Sequence, residues 1–140
     1  MGVNTEPYYT IKYADSSDGI HWRRNGEVCI KLNAAREAVT SPTVLKEDGI
    51  YKMWYSFRIG SNYRIDPNHS YRIGYAESYD GIAWTRMDDA AGIACSNTGW
   101  DSNMIEYPYV YQNENNKYMF YNGNGFGQSG FGYAVQPDHQ

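Results

Sequence analysis

The side chains able to do chemistry cluster in the second half of the chain. Glu106 stands in Ile105-Glu-Tyr-Pro108, Asp101 in Gly99-Trp-Asp-Ser102, and Asn122 and Asn124 in Tyr121-Asn-Gly-Asn-Gly-Phe-Gly127. Arg58 adds a cation directly after the run Met53-Trp-Tyr-Ser-Phe57. Carboxylates suit proton transfer, a guanidinium grips oxygens, and asparagine amides donate hydrogen bonds. Trp100, Tyr107 and Tyr109 supply flat faces for stacking. Each residue also has a plainer role. Glu106 can be a solvated or hydrogen-bonded residue at a strand start, and Asp101 a turn cap. Arg58 can be a surface charge on a long loop, and the asparagines supports of a left-handed turn.

Other chemistries have little to stand on. His21, His69 and His139 are scattered, and the sequence offers no paired Cys-His spacing for a metal. The glycine-rich run at 123–127 precedes a strand and lacks Lys-Ser/Thr, so it is no phosphate loop. No cofactor motif is present. A net charge of −4 without a basic stripe argues against nucleic acid. No apolar run reaches membrane-spanning length. The N-terminal Met-Gly-Val-Asn-Thr-Glu-Pro lacks the basic and apolar regions of a signal peptide, so the expected location is cytoplasmic. Cys29 and Cys95 fall one repeat apart, too far to bridge, and read as small buried hydrophobes.

The elements that would position these residues are strands. Fifteen tyrosines and four tryptophans enrich the chain in strand formers. Strands are expected over Tyr8–Ala14, a short run ending at Trp22, Thr40–Leu45, Ile50–Phe57, Tyr71–Ala76, Ile82–Arg86, Ile105–Tyr111, Lys117–Asn122 and Gly130–Val135. Asp18-Gly19 and Asp80-Gly81 mark hairpin turns, so both aspartates read as structural. One helical turn is expected at Ala34–Ala38. Trp22, Trp54 and Trp84 recur at strand positions and read as core.

The chain repeats itself. Ile11-Lys-Tyr-Ala-Asp-Ser-Ser-Asp-Gly-Ile-His-Trp22 returns as Ile73-Gly-Tyr-Ala-Glu-Ser-Tyr-Asp-Gly-Ile-Ala-Trp84, with an arginine two residues later in each (Arg24, Arg86). A truncated copy follows as Phe131-Gly-Tyr-Ala-Val135. In the same register Ser41-Pro-Thr-Val44 aligns with Tyr107-Pro-Tyr-Val110, and Met53-Trp-Tyr-Ser56 with Met119-Phe-Tyr-Asn122. One unit is therefore a four-stranded antiparallel meander, which describes a β-propeller blade. The fold class is all-β: a single partial propeller domain over 1–140, holding about two and a quarter blades. A remnant spans about 8–24, a full blade about 39–86 and a third about 104–136. Since a ring needs at least about four blades, this length of chain does not close alone. Open flanks promote association, so a homo-oligomer completing the ring is expected.

The Ser-X-Asp-Gly-Ile-X-Trp-X-Arg repeat, with Ser-Pro-Thr-Val and Tyr-Lys-Met-Trp-Tyr-Ser between copies, resembles the five-bladed propellers of glycoside hydrolases. Families 43 and 32 and their relatives are the nearest types. The resemblance runs from about Tyr9 to Val135 and looks like the C-terminal half of such a propeller. It implies a site at one mouth of the central channel, with an Asp directly before Pro as base or nucleophile on one blade. On a later blade a Glu in Glu-Gly-Pro serves as acid. Glu106-Tyr107-Pro108 matches the second motif, with Tyr in place of Gly, whereas Thr40-Ser41-Pro42 carries Ser41 where a carboxylate is expected. Asp66-Pro67, in the long loop, lies on the wrong strand for such a role.

Glycoside hydrolysis ordinarily uses two carboxylates about 5–10 Å apart, one protonated near neutrality. The resemblance thus implies Glu106 as general acid and leaves Asp101 as the best second carboxylate. Arg58, Ser41, Trp100, Tyr107, Asn122 and Asn124 would line a substrate site. With the base missing at Ser41, the preferred expectation is a carbohydrate-binding protein with little or no catalysis by the single chain, its partner a glycan. A glycoside hydrolase using Glu106 is the alternative. A non-catalytic self-association module is a second one.

Overall fold

The computed structural model describes residues 8–137. Two antiparallel sheets form the framework. The first runs in chain order through β1 (Glu37–Glu47), β2 (Ile50–Ile59), β3 (Arg72–Ser78) and β4 (Thr85–Arg86). The second runs through β5 (Glu106–Gln112), β6 (Asn116–Asn122) and β7 (Phe131–Pro137). These are successive propeller-type meanders. No helix among the described residues is long and apolar enough to cross a membrane.

Turn chemistry follows the sequence closely. Asp48 and Gly49 both take positive φ, 52° and 81°, between the paired Glu47 and Ile50. That is the two-residue turn whose twist matches a hairpin. In the Asp-Gly repeat, Ser78 Oγ accepts from the Gly81 amide at 2.9 Å, and Asp80 Oδ1 accepts from Ile82 and Ala83 at 2.8 and 2.9 Å. The earlier copy repeats this, with Ser16 taking the Gly19 amide and Asp18 those of Ile20 and His21, each at 2.8 Å. The Ser-X-Asp-Gly-Ile core of the motif is therefore a self-contained turn built by side-chain acceptors.

The flanks of the two copies differ. Beside the first turn the chain makes only isolated bridges, Lys12 with Val28 and Asp15 with Arg23, where strands over Tyr8–Ala14 and up to Trp22 are expected. Trp84 donates to the Gly81 carbonyl at 3.0 Å and packs against the first core, but Trp22 is 58% exposed. Trp22 is thus a correction to the reading of all three tryptophans as core. Gly74 marks a further difference between the copies. A Cβ there would stand 2.5 Å from both Tyr55 and Asp88, whereas Lys12, its counterpart, points to solvent. The strand expected over Ile82–Arg86 shortens to two residues because the capped turn consumes 80–83. The residues read as a helical turn form instead a turn ending in β1, which starts at Glu37 and pairs it with Ile59.

Three apolar clusters hold these layers. The segment 11–30 covers one face of the first sheet, burying Ile11, Cys29 and Ile30 against Val39, Met53, Tyr55 and Ala76. The opposite face packs on the second sheet through Trp54, Ile73, Tyr75, Ile105, Val110 and Tyr121. Tyr63, Tyr71 and Met104, with Phe126, close a third cluster at one end. Both cysteines are free; Cys29 is buried and Cys95 half-buried.

One buried polar assembly ties β1 to β4. Glu37 is fully buried; Arg86 reaches both its oxygens, at 2.5 and 3.1 Å, and donates from Nε to Asp88 at 2.8 Å. Asp88 also accepts the Tyr55 hydroxyl at 2.5 Å. The arginine that ends the repeated motif is thus a structural clamp in its second copy.

Candidate functional site

Glu106 and Tyr107 open β5 at a bulge. Pairing jumps from Glu106–Asn122 to Tyr109–Phe120, and β1 makes the same jump between Thr40 and Thr43. The residues before proline at these bulges, Ser41 and Tyr107, both carry φ of 53°. That left-handed conformation strains any side chain with a Cβ, and more so ahead of proline. The Tyr107 amide is fixed by the Ser56 hydroxyl at 2.8 Å, a link from the second sheet into the middle of the first.

The bulge turns Glu106 inward. Its side chain is fully buried, and neither carboxyl oxygen has a hydrogen-bond partner among the described residues. Burial pushes its pKa up to about 7, and the nearby Arg64 only partly offsets this. A buried polar atom without a partner costs about 1–3 kcal/mol, and the neutral acid is the cheaper form to bury. Such a group is a proton donor held near neutrality.

Around it the 60–71 loop folds back onto the sheet. Tyr63 and Tyr71 meet edge to face at 5.7 Å, and Phe126 stands against both, at 6.3 and 6.1 Å. Arg58 is fully buried beneath them, its guanidinium 3.9 Å from the Tyr63 ring centroid and bonded to the Gly60 carbonyl at 2.9 Å. It also bonds the hydroxyls of Tyr9 and Tyr71, which bond each other. Arg58 therefore organises the loop from inside, where a mouth-lining cation is expected. Arg64 occupies the exposed position instead, its guanidinium 5.0 Å from the ring centroids of both Tyr63 and Phe126.

The remaining predicted residues divide. Asn122 sits opposite Glu106 in the ladder, and Tyr107 is exposed beside it. Ser41 is half-buried on the equivalent bulge of β1, its hydroxyl 3.4 Å from that of Thr40. Asn124 is fully engaged as a staple: Oδ1 accepts from the Asn103 and Met104 amides at 2.7 and 3.0 Å, and Nδ2 donates to the Gly99 carbonyl at 3.0 Å. The left-handed conformation falls on Gly125 and Phe126. Asp101 is buried and accepts the Tyr121 hydroxyl at 2.8 Å, which gives its carboxylate a structural partner. Trp100 stacks on Tyr121 at 5.2 Å, over Gly123 and Gly132, where any Cβ would collide with it. Alternation along β5 and β6 sends Tyr109 to the opposite face from Tyr121, so Trp100 and Tyr109 do not form one platform.

No sequence motif marks Tyr71, Arg64, Phe126 or Glu37. Tyr63 offers a signal, as the one Phe, Tyr or Trp in the loop 58–70. A groove of about 510 Å³ also opens between the sheets, lined by Lys52, Trp54, Tyr75, Lys117 and Met119, and does not include Glu106. Among the described residues no group of histidine, cysteine or acidic side chains could hold a metal.

Comparison with known proteins agrees with this architecture. No family model matches the sequence. Two curated relatives, the uncharacterized proteins MT1551 and Rv1502 from two strains of Mycobacterium tuberculosis, are each 38% identical over 128 residues. That match takes in 91% of this chain, which spans about 40% of the length of these relatives. Among solved structures, a family-32 β-fructofuranosidase from Bombyx mori superposes with a TM-score of 0.68 at 16% identity, over 89% of this chain and 25% of that one. A thermostable family-43 glycoside hydrolase gives 0.63 at 17%, over 87% and 41%. A further glycoside hydrolase gives 0.63 at 22%, over 91% and 35%. The chain has the fold of a segment of the propeller glycoside hydrolases.

Proposed function

We propose that this chain binds a glycan at the start of β5, with Glu106 donating a hydrogen bond from its protonated carboxyl to a sugar oxygen. The observation that carries this reading is the fully buried, partnerless Glu106 carboxyl with its pKa raised to about 7. The likeness to propeller glycoside hydrolases supports a carbohydrate as the ligand class. Hydrolysis would require a second carboxylate about 5–10 Å away. Asp101 is committed to Tyr121, so that base is another residue. The raised pKa of Glu106 favours, as the second reading, a general acid in a site whose base another residue supplies.

Completion has a place to occur. The outer face of the second sheet leaves Tyr109, Tyr111, Phe120, Tyr133 and Val135 exposed, and a second copy contributing its own sheets would cover it. A glycan array comparing the native protein with Glu106→Gln, with product analysis, tests the site. Binding lost in Glu106→Gln supports the reading, while undiminished binding by that variant overturns it. Turnover seen only in the native protein would establish the acid.

A further inference from the structure

We infer that the sugar taken at Glu106 is anionic, and that Arg64 is the residue that selects it. The inference rests on the glycan-binding reading above and adds the charge of the ligand. Three observations carry it. First, Arg64 is exposed and makes no ion pair among the described residues, in contrast to Arg86 with Glu37 and Asp88, or Arg23 with Asp15. Second, it is held against two aromatic rings without an ion-pair partner among the described residues. Its guanidinium lies 5.0 Å from the centroids of both Tyr63 and Phe126, and those rings stand edge to face at 6.3 Å. A guanidinium resting against aromatic rings keeps N–H donors free for two-pronged recognition of an oxyanion. Third, it is close enough to Glu106 and Tyr107 to act on their protonation.

With Glu106 neutral, the charge of Arg64 is available to a ligand. A neutral sugar would satisfy Glu106 and leave Arg64 without a counter-charge. A sugar bearing a carboxylate or a sulfate ester would satisfy both. Asp66, the nearest acidic residue of the loop in sequence, is occupied by His69 at 3.2 Å and by the Asn68 amide at 2.9 Å.

The test is an array of oligosaccharides ending in hexuronate, in the carboxyl-reduced neutral sugar, or in a 6-sulfated sugar, read with the native protein, Arg64→Gln, Arg64→Lys and Glu106→Gln. About tenfold preference for an anionic over the neutral terminus is expected, lost in Arg64→Gln and largely kept in Arg64→Lys. The uronate and sulfate arms separate the two anion chemistries. Equal binding of all three termini that still depends on Glu106 would overturn this inference and leave the binding reading standing. An anion preference that persists in Arg64→Gln would also overturn it. Absence of binding to every arm, or binding indifferent to Glu106→Gln, would overturn both.

Discussion

Phe120 and Tyr133 pair across β6 and β7 with ring centroids 5.8 Å apart, and both face solvent, at 38% and 61% exposure. Trp54 and Tyr75 form the same cross-strand pair one unit earlier, at 5.0 Å, and there the pair is buried against the second sheet. The outer face of the second sheet is thus the repeat of a face that the fold elsewhere covers with another sheet. If a second copy covers it, light scattering at tens of micromolar will give an oligomer, and Phe120→Lys with Tyr133→Lys will return it to monomer. A native protein that stays strictly monomeric and folded would remove ring completion by self-association from the account.

Arg86 and Arg24 end the two copies of the motif, and they predict different costs. Arg86 reaches the fully buried Glu37, so Arg86→Met strands a buried carboxylate. Urea denaturation should show a loss of about 3 kcal/mol or more. Arg24 is exposed, and Arg24→Met should stay within about 0.5 kcal/mol. Equal losses would mean that the motif has one role in both places.

Gly74 and Lys12 form a second such pair. A methyl group at Gly74 meets Tyr55 and Asp88 at 2.5 Å, so Gly74→Ala should cost about 1–3 kcal/mol by overpacking. Lys12→Ala, at an exposed site, should be close to neutral. Thermal melts of the two variants decide this.

These pairs also show what the sequence carried and what it could not. The turn of Ser-X-Asp-Gly-Ile is local: every acceptor lies within three residues of its donor, so the motif announces it wherever it occurs. The succession of strands was legible for the same reason, through alternation and turn residues. Trp22 departs from its copy, and the motif does not encode whether a neighbouring sheet covers it. The site was half legible. Glu106 was marked by its proline and by the resemblance, but its burial depends on a bulge pinned by Ser56 from another sheet. Asp101 and Trp100 looked available because Tyr121, which engages both, lies twenty residues further on. Arg64 carries no signal of its own, because it sits in a polar loop whose inward turn depends on Arg58 beneath it.

Two glutamates with opposite shifts contribute to the pH dependence of stability. Lys52 and Lys117 hold Glu47 down at about 2, so its contribution is present above about 4.5 and is lost as pH falls towards 2. Glu106 is held up at about 7, so its favourable neutral form contributes below about 4.5, and that stability is lost as pH rises through 7. Arg64 is the charge acting on it there, and Glu106 in turn acts on Tyr107. Denaturation midpoints should fall on both sides, and Glu106→Gln should abolish only the decline between about 4.5 and 7. A decline that survives in Glu106→Gln would assign it to another group.

The acidity of Glu106 can be read directly from the chemical shift of its side-chain carboxyl carbon by NMR, across pH 3 to 9, with Glu106→Gln identifying the signal. A midpoint close to 7 is expected in the free protein. A midpoint near the ordinary glutamate value of about 4.3 would mean a solvated carboxylate at the start of β5, and would contradict that expectation.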